Sequence, residues 1–167
     1  MKNFAAWAGP LVVIAVLALS ACDNQRIEKL EEGVATEADV RKQFGNPHSV
    51  SNEPDGSKVM EYPRQPEGWT NYLITIGADG KMSSLRQLLT PANFAKVTPG
   101  TDKLAVMKLL GKTRKSQFYQ LKGEEVWDWR IKDGNLSKLF VVTFDGQGKV
   151  IATSTTEDPK DTTGGPN

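Results

Sequence analysis

Val40-Arg41-Lys42-Gln43-Phe44-Gly45 returns as Val106-Met107-Lys108-Leu109-Leu110-Gly111, and that recurrence decides the fold. Upstream, Ile27-x-x-Leu30-x-x-Gly33 lines up with Phe94-x-x-Val97-x-x-Gly100. Downstream, Met60-Glu61-Tyr62 lines up with Trp127-Asp128-Trp129, and Ile74-Thr75-Ile76 with Val142-Thr143-Phe144. Gly80-Lys81-Met82 then matches Gly148-Lys149-Val150. Blocks in one order at one nearly constant spacing mark an internal repeat. The units span 27–88 and 94–156. Residues 89–93 join them, with Pro91 ending the preceding strand. Residues 157–167 are polar and contain Pro159, Gly164, Gly165 and Pro166, so they read as a frayed, disordered tail.

The expected fold class is α+β: two tandem ααβββ repeats, with an antiparallel sheet and helices packed on one face. Thr36 is the N-cap expected for a helix over 37–44, with Asp39 completing a capping box. Gly45 is its C-cap and Pro47 prevents continuation. Asp102 and Gly111 take the same places in the second unit, where Leu104, Met107 and Leu110 read as a core stripe. Both cap glycines are expected at φ > 0. The strands alternate with period two. Met60 and Tyr62 share a face, as do Tyr72, Ile74 and Ile76, then Trp127, Trp129 and Ile131, then Phe140, Val142 and Phe144. This more aromatic face buries the most area, so the helices should cover it. Gly77-Ala78-Asp79-Gly80 and Asp145-Gly146-Gln147-Gly148 read as hairpin loops.

Composition narrows the function. The chain has 167 residues, Lys+Arg 21 against Asp+Glu 20, a net charge of +1, one cysteine and one histidine. Nucleic-acid binding would call for a basic excess. One cysteine and one histidine build neither an intrachain disulfide nor a zinc site of the usual kind. No metal, no cofactor and no enzyme activity are expected. His48 is of the residue type that most often serves as a general base, but no nucleophile adjoins it. Glu31-Glu32 and Glu124-Glu125 are adjacent pairs, and adjacent carboxylates on a strand point to opposite faces.

The N-terminal 1–21 reads as a signal peptide: Lys2, an apolar run over Leu11–Leu19, then small residues. Gly9-Pro10 interrupts the apolar stretch, which is short for a span. Leu19-Ser20-Ala21-Cys22 resembles the bacterial lipobox, which implies diacylglycerol on the Cys22 sulfur and an acyl chain such as palmitate on the new amino terminus. Two or three chains anchor stably. Residues 22–26 would then be a lipidated tether, and the Asp23–Arg26 stretch reaches only about 14 Å. Asp23 resembles the inner-membrane retention signal of enteric bacteria.

A Gly-x-Thr helix start, a following Val, a closing Leu/Phe-Gly and then strands resemble the SmpA/OmlA (BamE) family. Gly33 to Gly45 carries the motif with one extra residue, and Gly100-Thr101-Asp102 carries it with Asp in place of Thr. The tandem arrangement also resembles the β-lactamase-inhibitor-protein fold. The family resemblance implies a small lipoprotein of outer-membrane β-barrel assembly, attached by its acyl chains, facing the periplasm and binding assembly components. It favours the outer membrane, where Asp23 allows the inner one. The tandem arrangement suggests an alternative: an inhibitor or modulator of a periplasmic enzyme.

Two surfaces stand out as candidates. The sheet face turned from the helices would present Leu73, Leu139 and Val141 beside Glu61, Asp128 and Arg130, an apolar strip rimmed by charge. The same residues would be covered if the other repeat lay against them, and reversed faces would instead expose Tyr62, Trp127 and Trp129. Lys108, Lys112, Arg114 and Lys115 gather at a helix end. They offset the helix dipole there, or they contact anionic lipid headgroups.

Overall fold

Two antiparallel four-stranded sheets, each with a helix packed into its core, form the chain in the computed structural model, which describes residues 27–162. The signal peptide expected over 1–21, the tether expected over 22–26 with Cys22, and residues 163–167 lie outside the described residues.

Helix α1 (Glu37–Phe44) starts at Thr36. Asp39 N donates to Thr36 Oγ1 at 3.3 Å and Thr36 N to the Asp39 carboxylate at 2.9 Å, closing the capping box. It stops at Gly45, where φ +80° and ψ −157° lie in a region open essentially to glycine alone. Strands β1 (Ser49–Asn52), β2 (Lys58–Pro63), β3 (Asn71–Ile76) and β4 (Met82–Gln87) follow, each antiparallel to the next. A single turn, α2 (Pro91–Phe94), leads to α3 (Lys103–Leu110), which starts at Asp102 and stops at Gly111, φ +70°. Strands β5 (Lys115–Tyr119), β6 (Glu124–Asp133), β7 (Leu136–Phe144) and β8 (Val150–Glu157) repeat the meander, and α4 (Pro159–Thr162) follows.

The aromatic faces are buried as the alternation predicts. Val40 and Phe44 of α1 pack on Met60, Tyr62, Tyr72, Ile74 and Ile76, with Phe44 5.2 Å from Tyr62 and 5.4 Å from Tyr72. Val106 and Leu110 of α3 pack on Trp127, Trp129, Phe140, Val142 and Phe144. Each unit also ties an aromatic donor to its cap glycine: Tyr62 OH to Gly45 O at 3.3 Å, Trp129 Nε1 to Gly111 O at 3.2 Å.

Several expectations are corrected. Each meander has four strands, because β1 and β5 precede the three that were expected. Every residue of both strands is exposed, so no buried face imposes an alternation on them. The joining segment 89–93 belongs to the second unit: Leu89 is buried in its core and Thr90 caps α2. The disordered tail does not begin at 157, since Glu157 closes β8 and Asp158 is 1% exposed. In α3 the inward pair is Val106 and Leu110. Leu104 and Met107, expected in the core, are 62% and 48% exposed. An eight-residue helix on a sheet buries one i, i+4 pair, and the i, i+3 pair faces away.

Candidate functional site

The sheet faces turned from the helices do not form the open strip expected of them. Leu73, Val141, Glu61 and Asp128 are half-buried, while Leu139 and Arg130 are 6% and 5% exposed. The cover comes from the 64–70 loop between β2 and β3, which reaches over to the second sheet. Gln65 mimics a strand there: its Nε2 donates to Arg130 O at 2.9 Å and its Oε1 accepts from Arg130 N at 3.1 Å. Trp69 Nε1 donates to Ser137 Oγ at 2.9 Å, and Lys132 Nζ sits 4.7 Å from the centre of the Trp69 ring.

Beneath this loop lies a buried ion pair. Arg130 Nε donates to Asp158 Oδ2 at 2.5 Å, and Ser137 Oγ donates to the same oxygen at 3.1 Å. Burial by itself raises the Asp158 carboxyl pKa. The Lys160 backbone N–H and the Arg130 guanidinium outweigh that and hold it below the usual range. Asn71 binds the units a second time, its Nδ2 donating to Leu110 O at 2.7 Å and Lys112 O at 2.9 Å, carbonyls at the end of α3. The outer faces therefore join the units, and Leu139 and Arg130 are withdrawn as partner-binding residues.

The basic group is also altered. Arg114 grips Asp128 with two hydrogen bonds, 2.5 and 2.8 Å, so neither is a free charge. Lys108, Lys112 and Lys115 stay exposed.

The exposed apolar side chains fall mainly on the second unit. The second unit presents Leu104 and Met107 on α3, then Phe118, Tyr119 and the fully exposed Leu121 at the β5–β6 turn, then Leu136 and Ile151. The first unit presents Val34 and Val50. Lys103 brings α3 and the β5–β6 hairpin together. Its N–H bonds Gly148 O at 3.1 Å, its ammonium pairs with Glu125, and it lies 5.6 Å from the Phe144 ring centre. Glu125 sits directly across from Phe118 in the β5–β6 register. Hydrogen bonds from Lys103, then from Trp127, hold the Glu125 carboxyl below its usual range. An open groove of about 480 Å³ runs between Asp102–Leu104 and Gly146–Gly148. Leu104 and Phe118 thus flank one end of the second unit, fixed by the Lys103–Glu125 bridge. Exposed apolar side chains beside a shallow groove suit contact with a macromolecule.

The sequence reading missed Phe118, Tyr119 and Leu121 because it assigned no strand to 115–119. Among the described residues no three His, Cys, Asp or Glu side chains gather for a metal. His48 is exposed beside β1, and Glu32 accepts the Leu85 N–H at 2.9 Å.

No family model matches the chain, and no curated protein matches it. Similar solved structures include one described as an osmotically inducible lipoprotein, OsmE, at 21% identity over 42% of this chain and 75% of that one, TM-score 0.35. A DUF4309 family protein, YjgB, from Bacillus subtilis matches at 16% identity over 80% of this chain and 86% of that one, TM-score 0.33. A candidate β-lactamase inhibitor protein from Streptococcus mutans matches at 9% identity over 83% and 97% of the two chains, TM-score 0.34. None of these likenesses assigns this chain a role.

Proposed function

We propose that the chain is a lipid-anchored protein of the bacterial envelope, facing the periplasm, that works by binding another protein and catalyses nothing. The observation that carries the binding role is the unequal surface: the second unit exposes Leu104, Met107, Phe118, Tyr119 and Leu121, where the first exposes Val34 and Val50. The anchor rests on Leu19-Ser20-Ala21-Cys22. The resemblance to the SmpA/OmlA (BamE) family favours outer-membrane β-barrel assembly or envelope integrity as the process served.

A photoreactive phenylalanine analogue at 118 tests this, with the same analogue at Val50 as control. Position 118 is expected to cross-link barrel-assembly components in the envelope, and position 50 is not. Capture of one soluble periplasmic enzyme would favour an inhibitor or modulator, and equal labelling from both positions would remove the second-unit surface. Mass spectrometry checks the anchor: the mature chain is expected to begin at acylated Cys22, and Cys22→Ser to remain unprocessed.

A further inference from the structure

Among the described residues, the outer edge of β8 is open at the place where β4, its counterpart in the first unit, has an N–H capped by a side chain. Asp158 N donates to Ser137 O at 3.2 Å, one pair beyond Lys138↔Glu157, and this sets the phase of the β7–β8 ladder. The N–H and C=O groups of Thr153, Thr155 and Glu157 therefore point away from the sheet. By the same reasoning Leu88 N to Asn71 O, 2.8 Å, turns Leu85 outward on β4. There the Glu32 carboxylate takes the Leu85 N–H at 2.9 Å. The repeat sets Thr153 in the place of Leu85 and Pro99 in the place of Glu32, and a proline side chain accepts no hydrogen bond.

Residues 151–157, Ile-Ala-Thr-Ser-Thr-Thr-Glu, are all exposed, and Glu157 at the strand's end is their one charged or proline residue, the kinds that blunt natural sheet edges. Among the described residues only the start of the strand is covered: Val150 N donates to Thr101 O and Gly100 N to Val150 O, both at 2.8 Å.

We infer that β8 is a self-association edge, to which a second copy of this chain adds its own β8 antiparallel about a two-fold axis at Thr155. An axis at Thr153 would drive the copy's strand into Gly100–Asp102, which already lines Lys149 and Val150. With the axis at Thr155, Thr155 faces Thr155, Thr153 faces Glu157 and Ser154 faces Thr156. No like charges meet, and threonine pairs across strands are favourable. The contact uses one patch on both copies, as a closed dimer requires. It joins the two second-unit sheets edge to edge through about six backbone hydrogen bonds. So small a contact makes a weak dimer that forms as concentration rises.

The test uses the purified full chain at roughly 0.5 mM, a concentration chosen for a contact this small. Thr155→Cys, Thr153→Cys and Ser51→Cys variants are oxidised, and the unsubstituted chain, whose Cys22 sulfur the anchor occupies, gives the background. Thr155→Cys is expected to yield disulfide-linked dimer several-fold above the other two. Equal yields at the three positions, or none at 155, overturn the inference. Thr155→Lys sets two ammonium groups against each other on the axis at an exposed site. It is expected to remove the dimer seen by sedimentation while leaving the melting curve unchanged. A dimer that survives Thr155→Lys overturns the edge as its site.

Discussion

The two units keep one contact and exchange its charges. Glu37 of α1 pairs with Lys58 of β2 at 2.8 Å, while Lys103 of α3 pairs with Glu125 of β6. In the repeat Glu37 corresponds to Lys103, and Lys58 to Glu125. What both units retain is the joint between helix start and sheet, together with the cap glycines and their aromatic donors. They diverge at the outer helix face, where Ala38 and Arg41 stand against Leu104 and Met107. They diverge also in the connection after the long middle strand, a crossing loop in one and a tight Asp133–Leu136 turn in the other. The backbone plan is thus held by capping and core, and surface chemistry varies freely upon it.

The largest expected effect breaks the symmetry at Asp158, which has no counterpart in the first unit. Asp158→Ala leaves Arg130 charged and buried, and urea denaturation is expected to show a loss of roughly 3–5 kcal/mol. Replacing both partners together, Arg130→Met with Asp158→Leu, should recover most of it. Lys58→Ala in the partly exposed pair of the first unit is expected to cost about 1 kcal/mol or less.

Next come the cap glycines. Both occupy strained backbone, so alanine at either is expected to cost about 1–3 kcal/mol. Gly45 has open space around a new Cβ. At Gly111 that atom would lie 3.1 Å from Leu88 Cδ1 and 3.2 Å from Asn71 Nδ2. Gly111→Ala should therefore melt lower than Gly45→Ala, and equal melting temperatures would deny that Asn71 and Leu88 are fixed against the cap.

The smallest effect sharpens the exchanged pair. Hydrogen bonds from Lys58 and Arg41 lower the Glu37 carboxyl, as Lys103 and Trp127 lower that of Glu125. A depressed folded pKa stabilises above the unfolded value, near 4.3, and that contribution fades as pH falls through the folded pKa. Glu37→Gln and Glu125→Gln should each flatten the acid limb of the stability curve, leaving less to lose below about pH 4.5. A limb as steep as that of the unaltered chain would exclude both pairs as its source.

Much of this plan was legible in the sequence. Glycine at a helix end and a capping box act within one turn, and the aromatic alternation of β2, β3, β6 and β7 reports a buried face directly. The sheet edges were not legible, since β1 and β5 bury nothing and leave no period to detect. Leu104 and Met107 read as core because apolar character usually marks burial, but the helix is too short to bury two stripes. Leu139 and Arg130 were placed on the correct face, but that face is covered by Gln65, Trp69 and Asp158. Those contacts join residues far apart in the chain, and no local pattern encodes them.

Arg130 has a further consequence, in the time order of folding. It meets Gln65 across 65 positions and Asp158 across 28, while Lys160 meets Glu67 across 93. A growing chain makes the first sheet from near neighbours, and the 64–70 loop then waits with nothing to cross to. Arg130 arrives as a charge bound for a dry site, and its carboxylate is synthesised later still. The second sheet is likewise a meander of near neighbours, so the joint between the units is the part expected to close last, because contacts of long sequence separation form slowly. A chain whose two meanders have formed without that joint would leave the Arg130 and Asn71 contacts open to the wrong partner.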